Sequence, residues 1–188
     1  MIDLIREAAS IQEFIESKKW DFFFIGGVSV QVWGQPRLTQ DIDLTIFTNL
    51  KNEPEYISAF LSRYKPKFSD AAEYALLHRV LPMFTNEGIG IDVTLGGLSD
   101  TSEALTRSSY QPFAGGIDLR ICSADDLIIM KTVAARDRDW IDVESVIIRQ
   151  RKLDWVYIFS TLQGLTDDDE IPPKIEHLKL LKSRFYKK

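Results

Sequence analysis

The stretch Phe22-Phe23-Phe24-Ile25-Gly26-Gly27, followed after thirteen residues by Asp41-Ile42-Asp43-Leu44-Thr45-Ile46, constrains this chain more than any other. The first part is a short apolar run bounded by Asp21 and Gly26, the pattern of a buried strand. Val28, Val32 and Trp33 suit a short helix that Gly34, Gln35 and Pro36 close. In the second part Ile42, Leu44 and Ile46 alternate with Asp41, Asp43 and Thr45, a period of two. That period puts both aspartates on one face of a strand and the aliphatics in the core. A fold is therefore required in which a strand, a glycine turn and a short helix lead into a strand with paired acids.

The rest of the chain supplies the frame. Leu4, Ala8, Ile11 and Ile15 follow helical spacing and predict a helix that ends near Lys18. Tyr56 to Tyr64 reads as helix. Ala75 to Phe84 and Ile89 to Leu95 read as two strands of an antiparallel hairpin joined through Thr85-Asn86-Glu87-Gly88, and Ile117 to Ile121 as one more strand. From Ser123 the pattern turns helical, with Ser123 and Asp126 as a capping box and further helices over Trp140 to Arg149, Asp154 to Leu162 and Pro173 to Phe185. These elements predict an α+β fold, a mixed twisted sheet flanked by helices. Residues 1–122 form its core, and a helical part, 123–188, packs on that core as one structural unit.

Composition excludes several classes. A length of 188 residues and a 45% hydrophobic content suit an ordinary globular protein. Cys122 is the only cysteine, which rules out an intramolecular disulfide and a cysteine zinc site. No signal peptide or membrane span is legible, and the cytoplasm is the expected compartment. The net charge of −5 argues against a uniformly basic nucleic-acid coat. Charge is uneven, however: Asp167 to Glu170 is acidic, while Lys174 to Lys188 carries six Lys or Arg against one Glu. That tail is either a solvated helix face or a surface for a phosphate backbone.

Two like charges on one strand face stay in water, share a proton, or hold a divalent cation between them. Asp92, set between apolar neighbours in Gly90-Ile91-Asp92-Val93-Thr94-Leu95, adds a third acid if its strand lies beside that of Asp41. Three carboxylates suit one or two magnesium ions on a triphosphate, because magnesium takes oxygen ligands and keeps substrate phosphates in its shell. An edge-strand acid facing water is the other reading. Gly26 and Gly27, at a strand-to-helix turn, let backbone N–H groups approach phosphate oxygens, and Ser29 can donate a hydroxyl hydrogen bond. His78, placed on the alternating strand, and His177 support no metal cluster or catalytic triad. Trp20, Trp33 and Trp140 read as packing residues, with stacking of an exposed one on the nucleotide as the other reading, and Trp155 as a packing residue.

With Gly-Gly, a spacer, Asp-x-Asp and a later acid, the sequence resembles the DNA polymerase β-type nucleotidyltransferase superfamily. Within it, "GQPRLTQDIDL" and "DLIIMKTVAARDRDWIDVES" resemble the AbiEii-type nucleotidyltransferases, toxins of bacterial toxin–antitoxin systems. The resemblance implies a polymerase β-like fold and transfer of a nucleoside monophosphate from an NTP to an acceptor hydroxyl, releasing pyrophosphate, with two Mg2+ ions. Asp41, Asp43 and Asp92 would be the metal ligands, Asp92 also the general base. Gly26, Gly27 and Ser29 would hold phosphates, Arg37 would reach the phosphates or pair with an acid, and Lys131 would neutralise the triphosphate. Asp139 is favoured over Asp137 and Asp142 as a further functional acid; a salt-bridged helix surface is the alternative for this segment. The implied partners are the NTP, tRNA 3′ ends as acceptor, and a cognate antitoxin, with no membrane. Transfer to an aminoglycoside-like molecule or a protein hydroxyl, and a non-catalytic nucleotide- or partner-binding module, are the competing expectations.

Overall fold

The computed structural model describes residues 2–48, 52–96, 101–165 and 169–186. They group into two compact units, one within 1–28 and 38–122, the other within 29–37 and 123–188.

The first unit is built on a seven-stranded mixed sheet. Its strands are β1 (Phe22–Phe24), β2 (Asp41–Phe47), β3 (Lys65–Pro66), β4 (Val80–Phe84), β5 (Gly90–Gly96), β6 (Ser109–Phe113) and β7 (Ile117–Ile121), with helices α1 (Ile2–Ser17), α3 (Glu53–Leu61), α4 (Ala71–His78) and α5 (Thr101–Arg107). Helix α2 (Gly26–Trp33) starts in this unit. The strand order is β3-β4-β5-β2-β1-β7-β6. Strands β2 and β5 are parallel, as are β1 and β7; the other neighbours are antiparallel.

Burial explains why β1 sits inside the sheet, between β2 and β7. Phe22, Phe23 and Phe24 are all at most 1% exposed, and each contributes roughly 1.5–3 kcal/mol by leaving water. Because β1 is so short, it pairs with β7 at Phe24↔Ile121 alone. Gln12 on α1 serves β7 upstream of that point. Its Nε2 donates to the Asp118 carbonyl at 3.0 Å, and its Oε1 accepts from the Arg120 N–H at 2.9 Å. A buried glutamine thus takes the place of missing strand, as buried peptide groups require.

Two expectations are corrected here. Residues 75–78 are not strand: Ala71–His78 is helix α4, and strand begins only at Val80. The run Ala71-Ala72-Glu73-Tyr74-Ala75-Leu76-Leu77 favours helix, which Arg79 ends in the left-handed conformation (φ 56°), its N–H donating to the Ala75 carbonyl. Arg79 also fixes the turn, donating from Nε to the Leu95 carbonyl at 2.8 Å and pairing with Glu53 at 2.9 Å. His78 therefore lies on a helix, its ring 4.3 Å from that of Tyr74. Strand β6, with Pro112 inside it, and the short elements β3 and α5 have no counterpart in the sequence reading.

The second unit contains α6 (Ala124–Ala134), α7 (Asp137–Arg149), α8 (Trp155–Gln163), α9 (Ile171–Phe185) and the later part of α2. Residues 29–37, which the sequence reading grouped with the sheet, belong here. Gly34 packs so closely on α7 that a Cβ would lie 2.5 Å from Ser145 Oγ, the Gln35 N–H donates to that Oγ at 3.1 Å, and Gln150 donates to the Trp33 carbonyl at 2.7 Å. Ser123 caps α6 by accepting from the Asp126 N–H, while its hydroxyl donates to the Asp126 carboxylate. Tyr157 on α8 donates to the same carboxylate at 2.7 Å. The acidic run predicted around Asp167 and Asp168 and the terminal Lys187 and Lys188 lie outside the described residues.

Candidate active site

The acid face forms on β2 and β5. Their parallel register pairs Asp43 with Asp92, and Asp41 with Gly90. Side chains in register on adjacent strands share a face at about 4.8 Å spacing. The three acids predicted from sequence therefore sit on one face of one sheet, with Ile42, Leu44, Ile91 and Val93 buried on the other. Asp41 is exposed, and Asp43 and Asp92 are half-buried.

Three glycines make room for this face. Gly26 has φ +59°, and a Cβ on it would lie 2.1 Å from Asp43 Oδ2. A Cβ on Gly90 would lie 1.9 Å from Asp41 Oδ1, and one on Gly27 would lie 2.3 Å from Thr39 Oγ1. Each of these side chains occupies the space a Cβ would take, so the double glycine seats Asp43 and Thr39 as well as turning the chain. The Asp43 carbonyl accepts from the Ile25 N–H at 2.9 Å, tying the start of that turn to β2.

One residue here had no sequence signal. Lys67, just after β3, places Nζ 2.9 Å from Asp92 Oδ1. Among the described residues no group of three or more His, Cys, Asp or Glu forms a ready metal cluster. The donor type nevertheless suits a hard divalent cation, since all three are carboxylates, as magnesium requires. Lys67 already engages Asp92 Oδ1, so an ion bound there would share Asp92 with that ammonium.

A second constellation lies in the helical unit. Asp142 on α7 is 2% exposed and receives a bidentate pair from Arg37, Nε to Oδ1 and Nη2 to Oδ2, both at 2.7 Å. Lys131 on α6 reaches Asp139 at 2.6 Å and Asp142 at 2.9 Å. Burial pushes the Asp142 carboxyl up, but hydrogen bonds and charge from Lys131 and Arg37 outweigh it and hold the group below its ordinary value. Asp139 Oδ2 also accepts from the Arg136 N–H at 3.2 Å, capping α7. The i, i+3 spacing of Asp139 and Asp142 thus brings both to one lysine, and of the two possibilities for Arg37 this structure shows the acid pair.

Other candidates lie elsewhere. Ser29 is fully buried, so its hydroxyl faces the interior. Asp137 is exposed at the first turn of α7. His177 stacks on Trp140 at 4.3 Å, and Trp20 packs 4.3 Å from Tyr56. Lys182 lies 4.8 Å over the Trp155 ring. Among the described residues no helix is long and apolar enough to cross a membrane.

A mixed sheet with two parallel-registered carboxylate strands, entered through a glycine turn, is the arrangement the resemblance to nucleotidyltransferases implied. The profile of the family described as nucleotidyl transferase AbiEii toxin, type IV TA system, matches residues 14–150, and the chain belongs to this family. It is accordingly a nucleotidyltransferase with an α+β fold. No curated protein matches the sequence. Among solved structures it is similar to the lincosamide antibiotic adenylyltransferase LnuA with lincomycin bound (TM-score 0.51, 13% identity, 73% of this chain and 92% of that one). It is similar also to an antigenic nucleotidyltransferase-like protein from Paracoccidioides brasiliensis (TM-score 0.53, 13% identity, 94% and 92%). At such identities the likeness is one of fold.

Proposed function

We propose that this nucleotidyltransferase moves a nucleoside monophosphate from an NTP to an acceptor hydroxyl. The observation that carries the reading is the alignment of Asp43 with Asp92 and the seating of Asp43 and Asp41 against Gly26 and Gly90. Asp41, Asp43 and Asp92 would hold divalent cations, two magnesium ions by resemblance, which when bound neutralise the triphosphate and make the acceptor hydroxyl more acidic. Asp92 accepts the hydroxyl proton, the freed oxygen attacks the α-phosphorus, and the bond to the β-phosphate oxygen breaks to release pyrophosphate. The backbone at Gly26 and Gly27 approaches phosphate oxygens. Lys131 is assigned to the triphosphate charge on resemblance, with Asp139 and Asp142 fixing its ammonium.

The acceptor in this reading is the 3′ end of tRNA, and the protein acts as the toxin of a toxin–antitoxin pair in the cytoplasm, neutralised by a cognate antitoxin. The family description supports the toxin role, and Lys174, Lys179, Lys182 and Arg184 on α9 offer charge toward RNA phosphates. A second reading, transfer to a small hydroxylated molecule, draws on the likeness to LnuA, which is an antibiotic adenylyltransferase.

The test is incubation with each labelled NTP, magnesium and total cellular RNA beside the Asp41→Ala, Asp43→Ala variant. Label in a discrete tRNA-sized band only with intact acids is the expected result. Label in a small molecule or protein instead would replace the acceptor, and no acid-dependent transfer to any of the three would refute the activity.

A further inference from the structure

The acid face carries its own cation. Lys67 Nζ is 2.9 Å from Asp92 Oδ1 and 3.4 Å from the point a Gly90 Cβ would occupy. That same point lies 1.9 Å from Asp41 Oδ1, so one ammonium borders two of the three acids. Its placement is built. The Lys67 N–H donates to the Pro82 carbonyl at 3.0 Å, Pro82 is the register partner of Asp92, and Nζ lies 5.7 Å over the Phe84 ring. Backbone, aromatic ring and carboxylate thus direct one lysine, at 23% side-chain exposure, to the edge of the acid face.

From this geometry we infer that Lys67 is the resident counter-cation of the acid face, a positioning residue that holds Asp92 and yields it when a divalent cation binds. The inference rests on the cation reading of Asp41, Asp43 and Asp92 above. An acid face without a cation repels itself; the ammonium relieves that repulsion and keeps Asp92 in place. It also competes with the arriving ion, since its positive charge repels the cation and it already engages Asp92 Oδ1. Lys67 therefore sets how much divalent cation the protein needs, making binding weaker than the carboxylates alone would give.

The test titrates Mn2+, without nucleotide, into the full chain and its Lys67→Met, Lys67→Gln and Lys67→Arg variants, following free Mn2+ by electron paramagnetic resonance. Met and Gln remove the charge while keeping a stem of similar reach. Each should bind Mn2+ about five- to tenfold more tightly, the scale of one partly exposed ion pair plus relief of charge repulsion. Lys67→Arg should restore the wild-type affinity within about twofold, because it keeps the charge. Without Mn2+ both neutral variants should melt earlier than wild type, and Mn2+ should remove the difference. A merely structural lysine would not tighten cation binding when lost. Unchanged or weaker binding by the folded neutral variants would overturn the inference while leaving the acid face intact. No Mn2+ binding by any of the four proteins would overturn both.

Discussion

Replacing Gly26 by alanine separates two things a glycine can do at a turn. At φ +59° an L side chain costs about 1–2 kcal/mol. The new Cβ would also fall 2.1 Å from Asp43 Oδ2 and 2.9 Å from Asp43 Cβ. The carboxylate cannot yield by a small rotation alone, since the contact reaches back to its own Cβ, so Asp43 must leave its place on the acid face. Gly88 is the matched control, with φ +81° and open space where a Cβ would go. Gly88→Ala should cost about 1–2 kcal/mol from backbone strain and leave nucleotide transfer unchanged. Gly26→Ala should cost about 2–3 kcal/mol and lower transfer about 100-fold, the scale of a reacting group misplaced by an ångström. Urea unfolding of both variants reads the first quantity, and transfer of labelled nucleotide under conditions where both are folded reads the second. Equal activity of the two variants would refute the claim that Gly26 is there for Asp43.

Gly90→Ala has no left-handed strain to add and meets the exposed Asp41 carboxylate. It should change stability by under about 1 kcal/mol while weakening Mn2+ binding measurably in the same titration. Asp142→Asn takes a full charge from Arg37 and Lys131 at a 2%-exposed position, and should cost about 3 kcal/mol in denaturant unfolding, whereas Asp137→Asn, on the surface, should stay within about 0.5 kcal/mol. Because Asp142 has its carboxyl held below the ordinary value, its contribution is complete above about pH 4, the unfolded value, and is lost as pH falls through the lower folded value. Wild type should therefore lose stability below about pH 4 more steeply than Asp142→Asn, by melting temperature against pH.

What the sequence made legible was what repeats along the chain. The alternation of β2 put Asp41 and Asp43 on one face before any strand was paired, and the apolar spacing of α1 and the serine cap of α6 were equally local. Ala75 to Phe84 misled because Leu76, Leu77 and Leu81 read as one apolar run, and the break between helix and strand falls on Arg79, a left-handed residue with no glycine to announce it. Asp92 required a condition the sequence could state but not decide, that its strand lie beside β2. Contacts across long separations were not legible from periodicity, and which acid Arg37 would meet stayed open. Lys67 meets Asp92 across 25 residues and Arg37 meets Asp142 across 105, and neither spacing belongs to a helical or strand period. Ser29 looked available because it follows a double glycine, but its turn of α2 carries it inward.

The parallel pairing of β2 with β5 has an evolutionary consequence. Asp43 and Asp92 are neighbours by interstrand register, so the crossover between them can lengthen or shorten without changing their alignment. An insertion at the exposed Asn86-Glu87-Gly88 turn would extend the path while leaving every rung of the β2–β5 ladder in place. Descent can therefore remodel that turn while the acid pair keeps its register.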